Sequence, residues 1–322
     1  MTTPDKSVHR QAILMLLLAN FLWGVSFPLI KAMVHAHRLA VPESSTWFIT
    51  AYTVAPRFLI ATAVLLVLLW PKLRSFTRLE FKQGGLIGIA AGIGMLFQND
   101  GLQFTSASTS AFLTQFYAIM IPTWIALRSR RWPSATVLTC GGLVLAGVAI
   151  LGHFDFQAMR FGRGELETLL SSVFFMMQIF LLERKEFAAN RALPVTLVMF
   201  IVQAALFSAM AAATAPSAAS LLVPWTSGPW LGFTLLLTLF CTLGAYTLMN
   251  MWQPKITATE AGLIYCVEPL FASVLALFLP AIFSAWGGFD YANERLTWHL
   301  LVGGGLITLA NVLIQLKPPA KG

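Results

Sequence analysis

Charge is what this chain has least of. Of 322 residues only 13 are acidic and 21 basic, so charged residues make up 11% and hydrophobic ones 57%. Soluble domains carry roughly a quarter charged residues, so an ordinary soluble fold is excluded. There are three cysteines, Cys140, Cys241 and Cys266, each inside an apolar run and without paired spacing, which supports neither a disulfide framework nor a zinc site. The histidines, His9, His35, His37, His153 and His299, stand in loops or at the ends of apolar runs and form no metal or haem set. No Walker lysine follows a glycine-rich turn, and no Ser/His/Asp or acid–His set falls within the apolar segments. An enzyme and an ATP-driven pump are therefore both disfavoured, and neither cofactor nor metal is expected.

What is abundant is apolar sequence in runs of about 20 residues, the length at which a helix crosses roughly 30 Å of hydrocarbon. Ten such runs are read, at 12–34, 50–70, 84–104, 105–127, 134–152, 166–186, 193–213, 229–251, 258–280 and 297–316. They lack the ten-residue alternation of barrel strands, and in lipid the remaining way to satisfy the backbone is the helix. The expected fold is an all-α integral membrane protein with ten transmembrane helices. The first run follows Lys6 and Arg10 as a signal peptide would, but it is too long for an h-region and contains Asn20, Trp23 and Lys31, so it is read as a retained helix.

The net charge of +8 is spread by loop, not gathered into a nucleic-acid-binding patch. One set of alternate loops, with the two tails, holds 15 of the 21 Lys and Arg, the other set holds five, and Arg57 inside the second span completes the count. By the positive-inside rule both termini are cytoplasmic, and an even number of crossings agrees. A plasma (inner) membrane location with multiple passes is expected.

A shift of 151 positions lays 105–122 over 256–273, matching Asn99 with Asn250, Ala107 with Ala258, Ser108 with Thr259, Leu113 with Ile264 and Tyr117 with Glu268. Five spans then precede five. An odd number in the first half turns the second half over, so 1–152 and 153–322 are read as two inverted five-helix repeats. That architecture is characteristic of secondary transporters, with the substrate held near the midplane between the halves.

The stretch QNDGLQFTSASTSAFLTQFYAIMIP at 98–122 carries most of the polar groups. On one helix Ser106, Ser110, Thr114 and Tyr117 share a face, and the shifted copy puts Ala261, Tyr265 and Glu268 on the matching face. Two readings stand: hydroxyls that pack helices, or the lining of a polar substrate cavity. On the second reading the substrate-binding candidates are Asn20, Trp23, Gln98, Asn99, Ser110, Thr114, Gln115, Tyr117, Gln178, Tyr265 and Glu268. Glu268, before Pro269, is the deepest acid and a candidate proton or amine partner; Arg57 and Asp100 are the other charged candidates. Asp100 is expected to be a solvated interfacial acid. Arg57 is expected to reach the outer interface or to meet a carboxylate. Gly84, Gly88 and Gly92 form a small-residue stripe for close helix packing.

Several of these segments, taken in order, resemble the drug/metabolite transporter superfamily, EamA type. ANFLWGVSFPLIK at 19–31 and RFLIA at 57–61 are similar to that family's first and second helices. TATEA at 257–261, Glu268-Pro269, ERLTW at 294–298 and GGGLI at 303–307 are similar to its ninth and tenth. The first half departs from the pattern, with Tyr117-Ala118 in place of Glu-Pro, and about 14 extra residues stand between the last two spans. The small four-helix multidrug exporters carry an acid in the first helix where this chain has Asn20. The resemblance implies a transporter, in all expectation an exporter, moving amino acids or related metabolites, with a proton as a second candidate partner. A flippase for a lipid-linked group and a multidrug exporter are the alternatives. Oligomeric state is not fixed by the sequence; a monomer is compatible with it.

Overall fold

The computed structural model describes residues 6–128, 130, 132, 135–151, 162–256 and 258–316. Their regular elements are all helical: α1 Lys6–Ala40, α2 Thr46–Leu69, α3 Arg78–Gly101, α4 Ala107–Thr114, α5 Tyr117–Arg128, α6 Ala135–Leu151, α7 Arg163–Leu182, α8 Ala192–Thr214, α9 Gly228–Leu236, a π turn Leu237–Gly244, α10 Ala245–Trp252, α11 Ala258–Tyr265, α12 Glu268–Ala276, α13 Leu279–Gly287 and α14 Trp298–Leu316. Helices joined through a short break or the π turn form single segments, which makes ten segments and the additional α13 among the described residues.

Local chemistry sets the starts. Ser45 accepts the Phe48 N–H at 3.1 Å and caps α2. Thr77 and Glu80 form a reciprocal capping box on α3. Ser106, read above as part of a continuous helical face, instead precedes α4 and caps it, accepting the Thr109 N–H at 3.0 Å.

Six described stretches are long and apolar enough to span a bilayer: Ser7–Ala40, Thr46–Ser75, Ala107–Arg128, Arg163–Leu182, Ala192–Thr214 and Gly228–Lys255, with shorter apolar helices at Ala135–Ile150 and Trp298–Leu313. The protein is thus a multi-span helical membrane protein. Large exposed side chains such as Leu14, Leu138, Leu145, Ile201, Leu301 and Leu309 face outward on these helices, as lipid contact requires. The expected span at 84–104 is not among the six. Its segment, α3, is rich in glycine and ends in Gln98, Asn99 and Asp100, and it packs between α7 and α8.

The glycine stripe explains that packing. A Cβ on Gly84 would stand 2.7 Å from the Val195 carbonyl oxygen, and one on Gly88 2.8 Å from the Val202 Cβ, so only glycine lets α3 and α8 approach this closely. A Cβ on Gly147 of α6 would likewise stand 2.7 Å from the Gly303 carbonyl oxygen of α14.

Two expected helices are broken. The run at 105–127 divides at 115–116, where the Gln115, Phe116 and Ala118 N–H groups donate three residues back in a tightened turn. The run at 258–280 divides at 266–267, with Pro269 in the first turn of α12, where its missing N–H leaves the Tyr265 carbonyl without its helical donor. The two breaks are 151 residues apart, as are the starts of α4 and α11 and of α5 and α12. Past α12 the chain bends by 55° into α13. The insert packs Trp286 against Phe233 with ring centroids 4.6 Å apart, then carries Glu294 back to accept the Ala107 N–H at 2.7 Å at the start of α4.

Candidate functional site

A cavity of about 80 Å³, room for several waters or a small solute, lies among α1, α2, α3, α4, α5, α7, α10, α11 and α12. On α1, Trp23, Ser26, Phe27 and Ile30 reach it, at positions i, i+3, i+4 and i+7 that put all four on one face. Five pairs on its wall differ by 151 in number: Phe27 and Gln178, Met95 and Tyr246, Gln98 and Met249, Thr114 and Tyr265, Tyr117 and Glu268. Met95 and Tyr246 touch across the space, with the Tyr246 hydroxyl donating to the Met95 sulfur at 3.4 Å. Arg57 enters from α2, and Phe175, Gln178 and Ile179 from α7.

The polar groups are arranged sparsely. Gln98 Nε2 donates to Thr114 Oγ1 at 3.1 Å, and Thr114 in turn donates to the Ser110 carbonyl at 2.8 Å. The Tyr265 hydroxyl donates to Gln253 Oε1 at 2.5 Å. Among the described residues Glu268, 8% exposed, receives only a long contact from Gln115 Nε2, at 3.4 Å. Trp23 stacks edge-on against Tyr246 and Tyr265, with centroids 5.3 and 6.1 Å away, and its indole N–H has no acceptor.

Arg57 is 2% exposed, so it does not reach the interface as expected. Its Nε and Nη2 both donate to Thr242 Oγ1, at 3.2 and 3.1 Å, while Nη1 has no partner. Phe58 lies beside the guanidinium, 6.0 Å from ring centroid to Cζ.

Of the residues singled out in the sequence, Trp23, Arg57, Gln98, Thr114, Tyr117, Gln178, Tyr265 and Glu268 line the cavity, and five do not. Asn20 turns back on its own helix, donating to the Leu16 carbonyl at 2.6 Å, and Asn99 does the same to Met95 at 2.8 Å. Ser110 faces Thr168 on α7 at 3.4 Å. Gln115 stands behind Glu268. Asp100 is not the solvated acid expected: it is fully buried, ion-paired with Arg163 and accepts the Thr50 hydroxyl at 3.0 Å, because α7 brings a guanidinium over the end of α3. The reading of the sequence missed Ser26, Phe27, Ile30, Met95 and Tyr246; the periodicity of α1 and the 151-residue offset applied to α3 are the signals that point to them. Thr242 carried no signal, since nothing in LTLFCTLG announces a π turn.

Residues 10–152 match the model of the EamA-like transporter family, so the resemblance read from the motifs is shown over the first half of the chain. A relative from Archaeoglobus fulgidus, described as an uncharacterized transporter, is 26% identical over 305 residues, covering 94% of this chain and 85% of that protein. A solved crystal structure superposes with a TM-score of 0.58 at 16% identity, covering 96% of this chain and 98% of the other, a likeness of fold alone. By class, then, the protein is a multi-pass membrane transporter, similar over residues 10–152 to the EamA-like transporter family.

Proposed function

We propose that the protein is a secondary transporter in the plasma (inner) membrane, exporting small polar metabolites, amino acids first among them. Residues 1–152 and 153–322 act as two inverted repeats that rock about the cavity, with both termini cytoplasmic. The observation that carries this reading is the cavity wall itself. Five residue pairs at the same 151-residue offset converge on one partly open, mostly apolar space, together with one acid and one cation. Equivalent helices from two halves meeting around a midplane site is the arrangement alternating access requires. Glu268, at the start of α12, supplies the cavity's carboxylate and serves as the partner for a proton or a substrate amine.

The test is counterflow in proteoliposomes. Vesicles preloaded with one unlabelled amino acid at a time are given the labelled counterpart, with and without a pH gradient. Saturable uptake for at least one amino acid, reduced at least tenfold by Tyr117→Ala, is expected. If no preloaded amino acid drives entry of its label, the substrate class is wrong.

A further inference from the structure

Arg57 is the group that the structure leaves least explained. A guanidinium has five N–H donors, and burying it away from water is tolerated when an acid or several acceptors receive them. Here the side chain is 2% exposed, and among the described residues no carboxylate lies within ion-pair distance of it. One threonine oxygen takes Nε and Nη2, and Nη1, buried on a side chain that lines the cavity, has no acceptor among the described residues. The Trp23 indole N–H is a second buried donor on the same wall without an acceptor. The cavity therefore has a surplus of donors beside a fixed positive charge.

The backbone opposite Arg57 is unusual too. Leu237–Gly244 winds as a π helix, a form that recurs at functional sites because it inserts one residue and re-aims its neighbours. Thr242 donates its own hydroxyl proton to the Leu237 carbonyl five residues back, at 3.0 Å. That bond directs the lone pairs of Oγ1 at the guanidinium, so Thr242 acts as an acceptor for two of its N–H groups and leaves Nη1 unpaired among the described residues.

We infer that Arg57 is the anion subsite of the cavity, held by Thr242 of the π turn, and that the ligand it takes is the carboxylate of a small organic acid or amino acid. Nη1 donates to one carboxylate oxygen, and the Trp23 N–H lies on the same wall as a second donor. Glu268, on the other set of helices, is left for the amine of the same molecule. Thr242 is a positioning residue: it does not line the cavity, and it acts through the orientation of Arg57. This inference rests on the transporter reading for its substrate but concerns a binding event that is measurable without transport.

The experiment follows thermal unfolding of the purified protein in detergent with L-leucine, L-phenylalanine and L-threonine, each against its amide, which lacks the carboxylate. At least one amino acid is expected to raise the melting temperature, its amide is not, and Arg57→Gln is expected to abolish the shift. Arg57→Leu, which removes an uncompensated buried charge, is expected to melt no lower than the wild type without ligand, showing that the loss is not misfolding. In counterflow, Thr242→Val, which removes both hydrogen bonds that hold the Arg57 guanidinium, is expected to raise KM roughly tenfold with kcat little changed, and Thr242→Ser to restore it. Equal stabilisation by acid and amide, no stabilisation by any of the three acids, or retained binding in Arg57→Gln overturns the inference. Arg57-dependent binding without counterflow overturns the transporter reading and leaves the anion subsite standing, whereas counterflow of the amides as fast as of the acids does the reverse.

Discussion

Glu268 and Glu80 show how differently two buried carboxylates are used in one chain. Glu80 lies before the apolar part of α3 and accepts the Arg191 Nε at 2.7 Å, the Arg191 backbone N–H at 3.1 Å and the Thr77 N–H at 2.8 Å. The Arg191 guanidinium is the chief reason its pKa is held down to about 2 from an ordinary 4.5. A depressed carboxylate stabilises the fold above its unfolded pKa and loses that effect as pH falls through the folded value. Melting temperatures of wild type and Glu80→Gln are therefore expected to differ most near neutral pH and to converge from about pH 4.5 towards 2; a constant gap across that range contradicts the assignment. Glu268 has no such set of donors, only the long contact from Gln115. Glu268→Gln is expected to insert and fold normally while transport loses its dependence on a pH gradient, and an unchanged dependence would remove Glu268 as proton carrier. That Glu268 was legible and Asp100 was misread has one cause. Depth along a helix can be counted from sequence, whereas the partner that α7 brings to Asp100 is a tertiary fact.

At the scale of helices, the bilayer supplies no hydrophobic drive between segments, so close contact and small residues decide which helices pair. Gly84 and Gly85 separate that effect from helix propensity. A Cβ at Gly84 would stand within 2.7 Å of a backbone oxygen on α8, while one at Gly85 would meet nothing within 4 Å. Gly84→Ala is expected to destabilise by about 1–3 kcal/mol through overpacking, and Gly85→Ala to be neutral or stabilising by up to about 1 kcal/mol. Parallel melts of the two variants decide it, and equal effects would mean that α3 and α8 do not pack as described. The existence of the helices was legible because a spanning run needs only length and apolarity. Their breaks at 115–116 and 266–267 and the π turn were not, apart from Pro269, because a tightened or widened turn leaves composition unchanged. Ser106 illustrates the consequence: a residue assigned to a cavity-facing stripe becomes a cap once the helix starts one position later.

For the molecule as a whole, the 151-residue offset was legible in few identities, yet it coincides with the starts and breaks of α4, α5, α11 and α12 and with five pairs on the cavity wall. The part of the wall contributed by α2 had no such symmetry signal and depended on reading a single buried polar residue, Arg57. The central claim is that this one cavity opens in turn to the two sides of the membrane. The most direct measurement places Thr114→Cys in a protein whose buried Cys140, Cys241 and Cys266 are replaced by alanine, and applies a membrane-impermeant thiol reagent from either side of sealed vesicles of known orientation. The account predicts labelling from both sides, slowed on both by a transported amino acid. Labelling from one side only, with or without solute, would contradict alternating access.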